Sequence, residues 1–311
     1  MKPTMRMYEG EADYWNARAF LRRVRSQDAQ PGGTWHAAEF DYWRWHWLEN
    51  VVERSPDELC LWADADDRIV ALLVRGDPGV CHLQVDPGGS TAGLLDDMVA
   101  EAQTRHAVAL DDGRRTVYVW SMEGDATLNG VLAQRGFTRF ASEHSTEHNG
   151  RRILAEPIAR LPVPDGFQIR SMGDVDEHGR RSVASWRAFH PGESEDECDR
   201  SGVWYQNVQR SPTYRRDLDV VAVAPNGDIA SFVVCYFDDV LRSGVFVLDG
   251  TVPAYRSVGL AKAVMMEALR RLQWLGATAA YVSWYEAPAG ALYRSVGFTD
   301  MALGRAWQKT R

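Results

Sequence analysis

Residues 250–262 of this chain are Gly-Thr-Val-Pro-Ala-Tyr-Arg-Ser-Val-Gly-Leu-Ala-Lys. A β-branched strand enters a proline turn there, and the pattern Arg-x-x-Gly-x-Ala leads into a helix that begins near Leu260. Unpaired backbone N–H groups and the helix dipole make such a helix start a site for a pyrophosphate. Gly259 allows the backbone to approach a ligand closely, and Ala261 is too small to block it.

A second segment lies at a suitable distance from the first. Residues 291–298 are Ala-Leu-Tyr-Arg-Ser-Val-Gly-Phe. The two segments, with a helix and a strand between them, resemble the GCN5-related N-acetyltransferase (GNAT) family, whose motifs are Gln/Arg-x-x-Gly-x-Gly/Ala and Leu-Tyr-x-x-x-Gly-Phe. The resemblance implies acetyl-CoA as the acyl donor and no metal. It implies a cofactor-binding set of Val252, Arg256, Ser257, Val258, Gly259, Leu260 and Ala261.

The order of elements in the second half predicts an α+β fold. An antiparallel hairpin precedes a strand, the loop, a helix, a strand, a short helix and a last strand. The predicted ranges are 220–224, 229–237, 244–252, 260–276, 279–284, 289–295 and 299–307. This order predicts a mixed sheet with helices on both faces, in α/β/α layers, as the GNAT family has.

The first half repeats this order in a diverged form. Arg54-Ser55-Pro56 recurs as Arg210-Ser211-Pro212, and Gly136-Phe137 recurs as Gly297-Phe298. A hairpin is predicted over 59–63 and 69–74, and the proline-containing stretch 156–166 is predicted to be a linker. We therefore expect two tandem GNAT-like domains, 1–160 and 161–311. Each should contain a mixed, mostly antiparallel sheet flanked by helices.

The phosphate loop of the first half is predicted to be degenerate. When Pro87 and Gly93 are aligned with Pro253 and Gly259, the first half has unsuitable residues at the equivalent positions. These are Ser90 for Arg256, Leu95 for Ala261, Asp96 for Lys262 and Leu132 for Tyr293. A carboxylate at this helix start would repel a pyrophosphate. We expect domain 1–160 to be structural and domain 161–311 to bind acetyl-CoA and catalyse the reaction.

Tryptophans are concentrated near the start of the first half. Trp43, Trp45 and Trp47 alternate along the chain and therefore cannot all share one helix face. They could form an aromatic wall for an acceptor, or pack in the core and against the second half. Packing is the favoured interpretation, because large aromatic side chains are mostly used that way.

The resemblance assigns Tyr293 as the general acid that protonates the leaving thiolate. Its alternative role is that of a packed aromatic residue. The identity of the general base is undecided. Many family members carry Glu on this strand, but the corresponding residues 245–248 are Val-Phe-Val-Leu and include no acid. Asp249, Glu286 and His190 are the candidates, and the sequence does not choose among them.

Composition limits the classes of function. The chain has 311 residues, of which 45% are hydrophobic and 25% charged, and its net charge of −8 argues against nonspecific nucleic-acid binding. Four dispersed cysteines without CxxC spacing suggest neither a zinc site nor disulfides. No long apolar segment is present, so we expect a cytoplasmic protein without a membrane partner, as a monomer or homodimer.

The sequence thus predicts an N-acetyltransferase of the tandem two-domain type, an arrangement similar to that of the mycothiol synthases. It would move an acetyl group from acetyl-CoA to a primary amine of a small molecule. The alternatives are acetylation of a protein N-terminus or Lys, and a CoA-binding pseudoenzyme or scaffold.

Overall fold

The strands of both halves join in one continuous fourteen-stranded sheet. The structure is a computed structural model that describes residues 2–27, 33–52 and 58–311. The predicted repeat Arg54-Ser55-Pro56 lies outside the described residues. The sheet order is β1-β2-β3-β4-β6-β14-β8-β13-β12-β11-β10-β9, with β5 beside β6 and β7 beside β14.

The first half contributes eight strands and four α-helices to the described residues, together with a π-helix, Trp43–Val51. The strands are β1 (Thr4–Met7), β2 (Leu59–Ala63), β3 (Ile69–Arg75), β4 (Val80–Val85), β5 (Val108–Ala109), β6 (Arg115–Met122), β7 (Thr138–Arg139) and β8 (Thr146–Ile153). The helices are α1 (Glu11–Gln27), α2 (Ala37–Tyr42), α3 (Ala92–Arg105) and α4 (Ala126–Gln134).

The second half contains the predicted elements in the predicted order. Its strands are β9 (Gln168–Ser171), β10 (Asp219–Val223), β11 (Ile229–Asp238), β12 (Ser243–Thr251), β13 (Ala279–Trp284) and β14 (Thr299–Thr310). Its helices are α5 (Val175–Phe189), α6 (Val203–Gln209), α7 (Leu260–Trp274) and α8 (Ala287–Ser295). Short 3₁₀ turns lie at Glu195–Glu197, Arg216–Leu218 and Pro253–Tyr255.

Strands are exchanged between the halves at the centre of the sheet. The first-half strand β8 pairs with β13 from His148 to Ile153, on the second half's side. The second-half strand β14 pairs with β8 along one edge and with β6 along the other. The proposed boundary at residue 160 therefore separates the halves in sequence, while the sheet runs across it.

The sheet is mixed and mostly antiparallel, as predicted. Parallel pairing joins β4 to β6 and β12 to β13. Each parallel contact spans three residue pairs, after which the two strands separate. Each half therefore contains one fork between neighbouring strands.

Apolar cores lie on both faces of the sheet in both halves, which gives the layered α/β/α arrangement. In the second half, α7 packs its buried residues, among them Val264, Leu269 and Leu272, on one face. Buried residues of α5 and α6, among them Ala184 and Tyr205, pack on the other face. In the first half, α3 and α4 cover one face, and α1 and α2 cover the other.

Buried polar contacts also connect the halves. Asp41 of α2 accepts hydrogen bonds from Arg18 Nε at 2.8 Å and from Thr213 Oγ1 at 2.8 Å. Arg22 of α1 pairs with Asp238 at the end of β11 at 2.7 Å. Because burying a charge is costly unless it is paired, these contacts fix how the halves pack together.

The cysteines are free thiols, and three of them, Cys60, Cys81 and Cys235, are buried. Burial raises the pKa of Cys81 and Cys235, so both behave as apolar core residues. Among the described residues, no group of His, Cys, Asp and Glu side chains is placed to hold a metal ion. The described helices are all too short or too polar to cross a membrane.

Candidate active site

The fork between β12 and β13 is the centre of the site. The strands pair through Ser243–Ala279, Gly244–Ala280 and Val245–Tyr281, and then diverge. A register shift at the β11 pairing, where Val234 faces Leu248 and Cys235 faces Phe246, leaves Val247 as the extra residue of a bulge. A bulge bends and twists its strand, which explains why β12 leaves β13 at this point.

The predicted cofactor loop follows β12 directly. Pro253 opens a 3₁₀ turn, and α7 begins at Leu260 after Gly259 with φ of 89°. Only glycine adopts this conformation without strain. A Cβ atom built at Gly259 would meet no heavy atom within 4 Å, so open space lies in front of the backbone. Residues 256–259 are exposed, so their backbone can be approached by a ligand.

Arg256 fixes this loop by hydrogen bonds to backbone carbonyls. Its Nε donates to Thr251 O at 3.0 Å, and one terminal nitrogen donates to Ala188 O at 3.0 Å. The guanidinium therefore ties the loop to the end of β12 and the end of α5. Arg256 therefore fixes the position of the backbone N–H groups of this loop.

The remaining predicted cofactor residues fit an extended acyl donor. Val252 is buried, and its N–H donates to Ala230 O at 3.0 Å. Leu260 is buried under the helix start, while Ser257 and Val258 are exposed. The first N–H groups of α7 have no partner within the helix, because no helical carbonyl precedes them. The fork, the exposed loop and the free helix start together fit a pantetheine arm and a pyrophosphate.

Tyr293 and Asp249 are in direct contact. The Tyr293 hydroxyl of α8 lies 3.0 Å and 3.1 Å from the two carboxylate oxygens of Asp249 on β12. Tyr293 is 5% exposed, and its ring packs against Trp284 and Phe298. The ring of Tyr293 is therefore packed, while its hydroxyl contacts a carboxylate, and the general-acid role stays a prediction.

The environment of this pair changes the proton affinity of both groups. Burial raises the pKa of Asp249 to about 6, although the hydrogen bond from Tyr293 acts in the opposite direction. Burial, then the charge of Asp249 and the hydrogen bond to it, hold the pKa of Tyr293 well above its usual range. Asp249 can therefore exchange a proton near neutral pH, which a general base requires.

The other two base candidates have different surroundings. Glu286 is exposed at the start of α8. His190 caps the end of α5 and stacks on Trp186, with ring centroids 4.0 Å apart. Of the three candidates, Asp249 is the one that the structure brings to Tyr293.

A cavity of about 760 Å³ opens between the two halves and reaches Asp249. The second half supplies one wall through Val245, Val247, Asp249, Ser283 and Tyr285. The first half supplies the opposite wall, which includes Trp35, Glu39, Tyr42, Trp43, Trp47, Asp77, His82, Trp120, His144 and Glu147. The cavity is thus built from both halves.

The comparisons with known proteins agree with this geometry. Mycothiol acetyltransferase from Segniliparus rotundus is 27% identical over 247 residues, which cover 75% of this chain and 85% of that protein. A tandem GNAT protein from the clavulanic acid biosynthesis pathway matches with a TM-score of 0.71 at 13% identity, over 99% of this chain and 98% of that chain. The chain has the tandem GNAT fold.

A second solved structure gives the same result. A GCN5-related N-acetyltransferase from Sphaerobacter thermophilus has a TM-score of 0.67 at 16% identity, over 99% of this chain and 95% of that chain. No protein-family model matches the chain. The predicted resemblance to GNAT proteins and the predicted fold class are confirmed, and these relatives support the prediction of an acetyl-CoA-dependent acyltransferase.

The first-half copy of the GNAT fold has a different helix start. The Thr91 Oγ1 atom caps α3 by accepting the N–H of Leu94 at 3.2 Å. Gly93 lies inside the first turn of α3, whereas Gly259 precedes α7. Thr91, and not Gly93, holds the position before the helix that Gly259 has, so the alignment by spacing is two residues out of step. The nearby carboxylates are paired, Asp96 with Arg135 at 2.5 Å and Asp97 with Lys2 at 2.6 Å.

Aromatic rings fill the first-half fork. Its last parallel pair is His82 with Trp120, where the second half has Val245 with Tyr281. The ring centroids of Trp35 and His82 lie 4.9 Å apart, and the backbone N–H of Trp35 donates to Gln84 Oε1 at 2.7 Å. The segment before α2 therefore lies against the fork that would otherwise be open to a donor.

Trp43, Trp45 and Trp47 have different surroundings in the structure. Trp43 is 4% exposed, stacks on Phe40 and donates its indole N–H to Arg75 O at 2.7 Å. Trp43 and Trp47 also border the cavity, whereas Trp45 packs on Tyr14. Trp43 and Trp47 of the π-helix therefore pack in the core and line the cavity at the same time, and the acceptor wall stays a prediction.

Two cavity carboxylates were missed by the sequence analysis. Glu147 of β8 accepts a hydrogen bond from the Tyr285 hydroxyl at 3.1 Å, and Glu39 of α2 accepts the N–H of His36 at 2.5 Å. Burial raises the pKa of both carboxyl groups, and the negative charge of Glu39 raises the pKa of Glu147 further. No sequence motif marks them, because only the strand exchange brings Glu147 beside the second half.

Proposed function

We propose that this protein transfers the acetyl group of acetyl-CoA to a primary amine of a small molecule. The contact between Tyr293 and Asp249, at the fork and beside the cavity, is the observation that carries the proposal. The acyl donor supplies an activated acetyl thioester. Tyr293 would donate a proton to the sulfur that leaves, and the loop at 256–261 would hold the pyrophosphate.

The size and charge of the cavity support a small cationic acceptor. A volume of about 760 Å³ lies in the range of small-molecule pockets, roughly 300–1,000 Å³. Its walls combine aromatic rings with the carboxyl groups of Glu39, Glu147 and Asp249. Carboxylates and aromatic faces both attract an ammonium group. An amine attacks in its neutral form, so the ammonium proton of an acceptor held there must first leave to solvent.

Release of free thiol from acetyl-CoA tests the proposed function. The panel would contain benzylamine, cadaverine, spermidine, glucosamine, and a peptide with a free N-terminus and an internal Lys. We expect turnover with at least one small amine and little turnover with the peptide. Efficient acetylation of the peptide would favour the protein-directed alternative, and binding of acetyl-CoA without turnover would favour a scaffold.

Titration calorimetry with acetyl-CoA should give one site per chain. Gly259→Asp should weaken that site strongly, because an aspartate at φ of 89° is strained and its charge repels the pyrophosphate. We expect affinity to fall by roughly 100-fold or more, since like charges placed against each other at an interface cost several kcal/mol. Gly93→Asp, in the first turn of the first-half helix α3, serves as the control and should bind normally. Two equivalent sites, or equal loss in both variants, would contradict this.

Glu147→Gln should weaken acceptor binding while acetyl-CoA binding is unchanged. A hydrogen bond to a charged group contributes about 1.5–3 kcal/mol, so KM for a diamine should rise roughly 10- to 100-fold with kcat little changed. The measurement is steady-state kinetics with cadaverine. Glu101→Gln on the α3 surface, which removes an ion pair with Arg105, is the matched control. An unchanged KM in Glu147→Gln would remove Glu147 from acceptor recognition.

A further inference from the structure

Asp249 and Tyr293 form an isolated acid–base pair. The phenol oxygen lies within hydrogen-bond distance of both Asp249 oxygens, at 3.0 Å and 3.1 Å. Asp249 borders the cavity, while Tyr293 lies in the core formed by α7, β13 and α8. The carboxylate thus faces the acceptor side, and the phenol approaches from the side of the β12–β13 fork.

We propose that Asp249 and Tyr293 work as a proton relay, in which Asp249 takes the proton of the attacking amine and thereby enables Tyr293 to protonate the leaving sulfur. This inference rests on the proposed function and adds the identity of the base and the order of the two proton transfers. Asp249 lies outside 245–248, the stretch of the strand where the family's Glu is expected. The resemblance therefore does not assign Asp249 as the base.

The order follows from the groups that raise the pKa of Tyr293. Besides burial, these are the negative charge of Asp249 and the hydrogen bond that it accepts. While Asp249 is ionised, Tyr293 is therefore a poor acid. Protonation of Asp249 removes both of these effects and leaves only burial. The amine proton that arrives on Asp249 is thus the event that makes Tyr293 able to donate its own.

The protons and bonds balance without another reactant. The amine attacks in its neutral form; its nitrogen bonds to the acetyl carbon and loses one proton to Asp249. The carbon–sulfur bond breaks, and the sulfur receives the Tyr293 hydroxyl proton. Asp249 then passes its proton to the Tyr293 phenolate across the hydrogen bond. Both residues return to their starting states, and the products are an amide and a free thiol.

Few other charges disturb the pair. Among the described residues, the titratable groups that interact with Asp249 are Tyr293 from α8 and Tyr42 from α2. Burial raises the pKa of the Tyr42 phenol, so it stays neutral in the working range. Burial also raises the pKa of Glu39 and Glu147 in the same cavity, so loss of the acid limb in a variant of Asp249 is what assigns the limb to Asp249.

The test is the pH profile of kcat for the most active amine of the panel, measured at saturating acetyl-CoA. The wild-type rate should fall below about pH 6, where Asp249 becomes protonated before the amine arrives. Asp249→Asn should lower kcat by about 10²–10⁴-fold and remove this acid limb. Asp249→Glu should recover part of the rate and restore the limb. Calorimetric affinity for acetyl-CoA reports whether each variant keeps its fold.

Tyr293→Phe should change the pH at which the rate falls, an effect that is not expected if Tyr293 has only a structural role. The phenol's hydrogen bond lowers the pKa of Asp249, so its loss should shift the acid limb of the residual rate to higher pH. The double variant Asp249→Asn/Tyr293→Phe should be about as slow as the slower single variant, because the two residues act as one unit.

Three results would overturn the relay. They are an undiminished kcat in Asp249→Asn, an acid limb near pH 6 that survives in that variant, and multiplicative losses in the double variant. Each of these leaves acetyl transfer by the wild type intact and therefore rejects the relay alone. Absence of transfer by the wild type to every amine would instead reject the proposed function.

Discussion

Tyr293→Phe is expected to lower turnover by about 10²–10⁴-fold, the usual contribution of a general acid. The variant keeps the ring that packs against Trp284 and Phe298, and it loses only the hydroxyl that contacts Asp249. Acetyl-CoA affinity should therefore stay nearly unchanged. Single-turnover kinetics with the most active amine of the panel would measure the chemical step directly.

The second half contains a matched control for this change. The Tyr214 hydroxyl donates to Asp219 at 2.8 Å, and this buried pair lies outside the residues that line the cavity. Tyr214→Phe removes the same kind of hydrogen bond and should leave the chemical step intact. If Tyr293→Phe kept the wild-type rate in a chemistry-limited assay, Tyr293 would have no catalytic role. If both variants lost activity equally, the effect would be one of stability.

Local signals explain why the second half was predicted well. The apolar stripe that includes Val264 and Leu272, together with Gly276 as a stop, predicted a helix over 260–276, and α7 occupies Leu260–Trp274. Asn226-Gly227-Asp228 predicted a hairpin turn, and β10 and β11 flank it. These signals depend on residues that are close in sequence, so one amino-acid sequence is enough to predict the elements from them.

The site required information that is not local. Asp249 and Tyr293 are 44 residues apart and meet because β12 and α8 flank the same fork. Asp249 is one of three candidates for the base in the sequence, and nothing local distinguishes it from Glu286 and His190. Alternation along β8 predicts which side chains share a face, but not that its neighbours are β13 and β14. The cavity wall containing Glu147 therefore could not be predicted.

Residues 161–311 expressed alone are expected to be insoluble or aggregated. This fragment lacks β8, which lies between β13 and β14, and it lacks β6, the other partner of β14. The edges of β13 and β14 would then present unpaired backbone groups, which promote association with other chains. It also exposes the apolar and polar surfaces that α1 and α2 cover, including the buried Asp238.

A longer fragment separates the two contributions of the first half. Residues 143–311 retain β8 and should recover solubility and acetyl-CoA binding relative to 161–311, measured by sedimentation and calorimetry. They still lack the cavity wall formed by Trp35, Glu39 and Trp120, so transfer to the acceptor should remain far below that of the full chain. A monomeric, stable and fully active 161–311 would show that neither the strand exchange nor the first-half wall is needed. Recovery of full activity by 143–311 would restrict the first half's role to supplying one strand. The expected graded result would instead mean that a domain without its own donor site is retained because it completes both the sheet and the acceptor cavity.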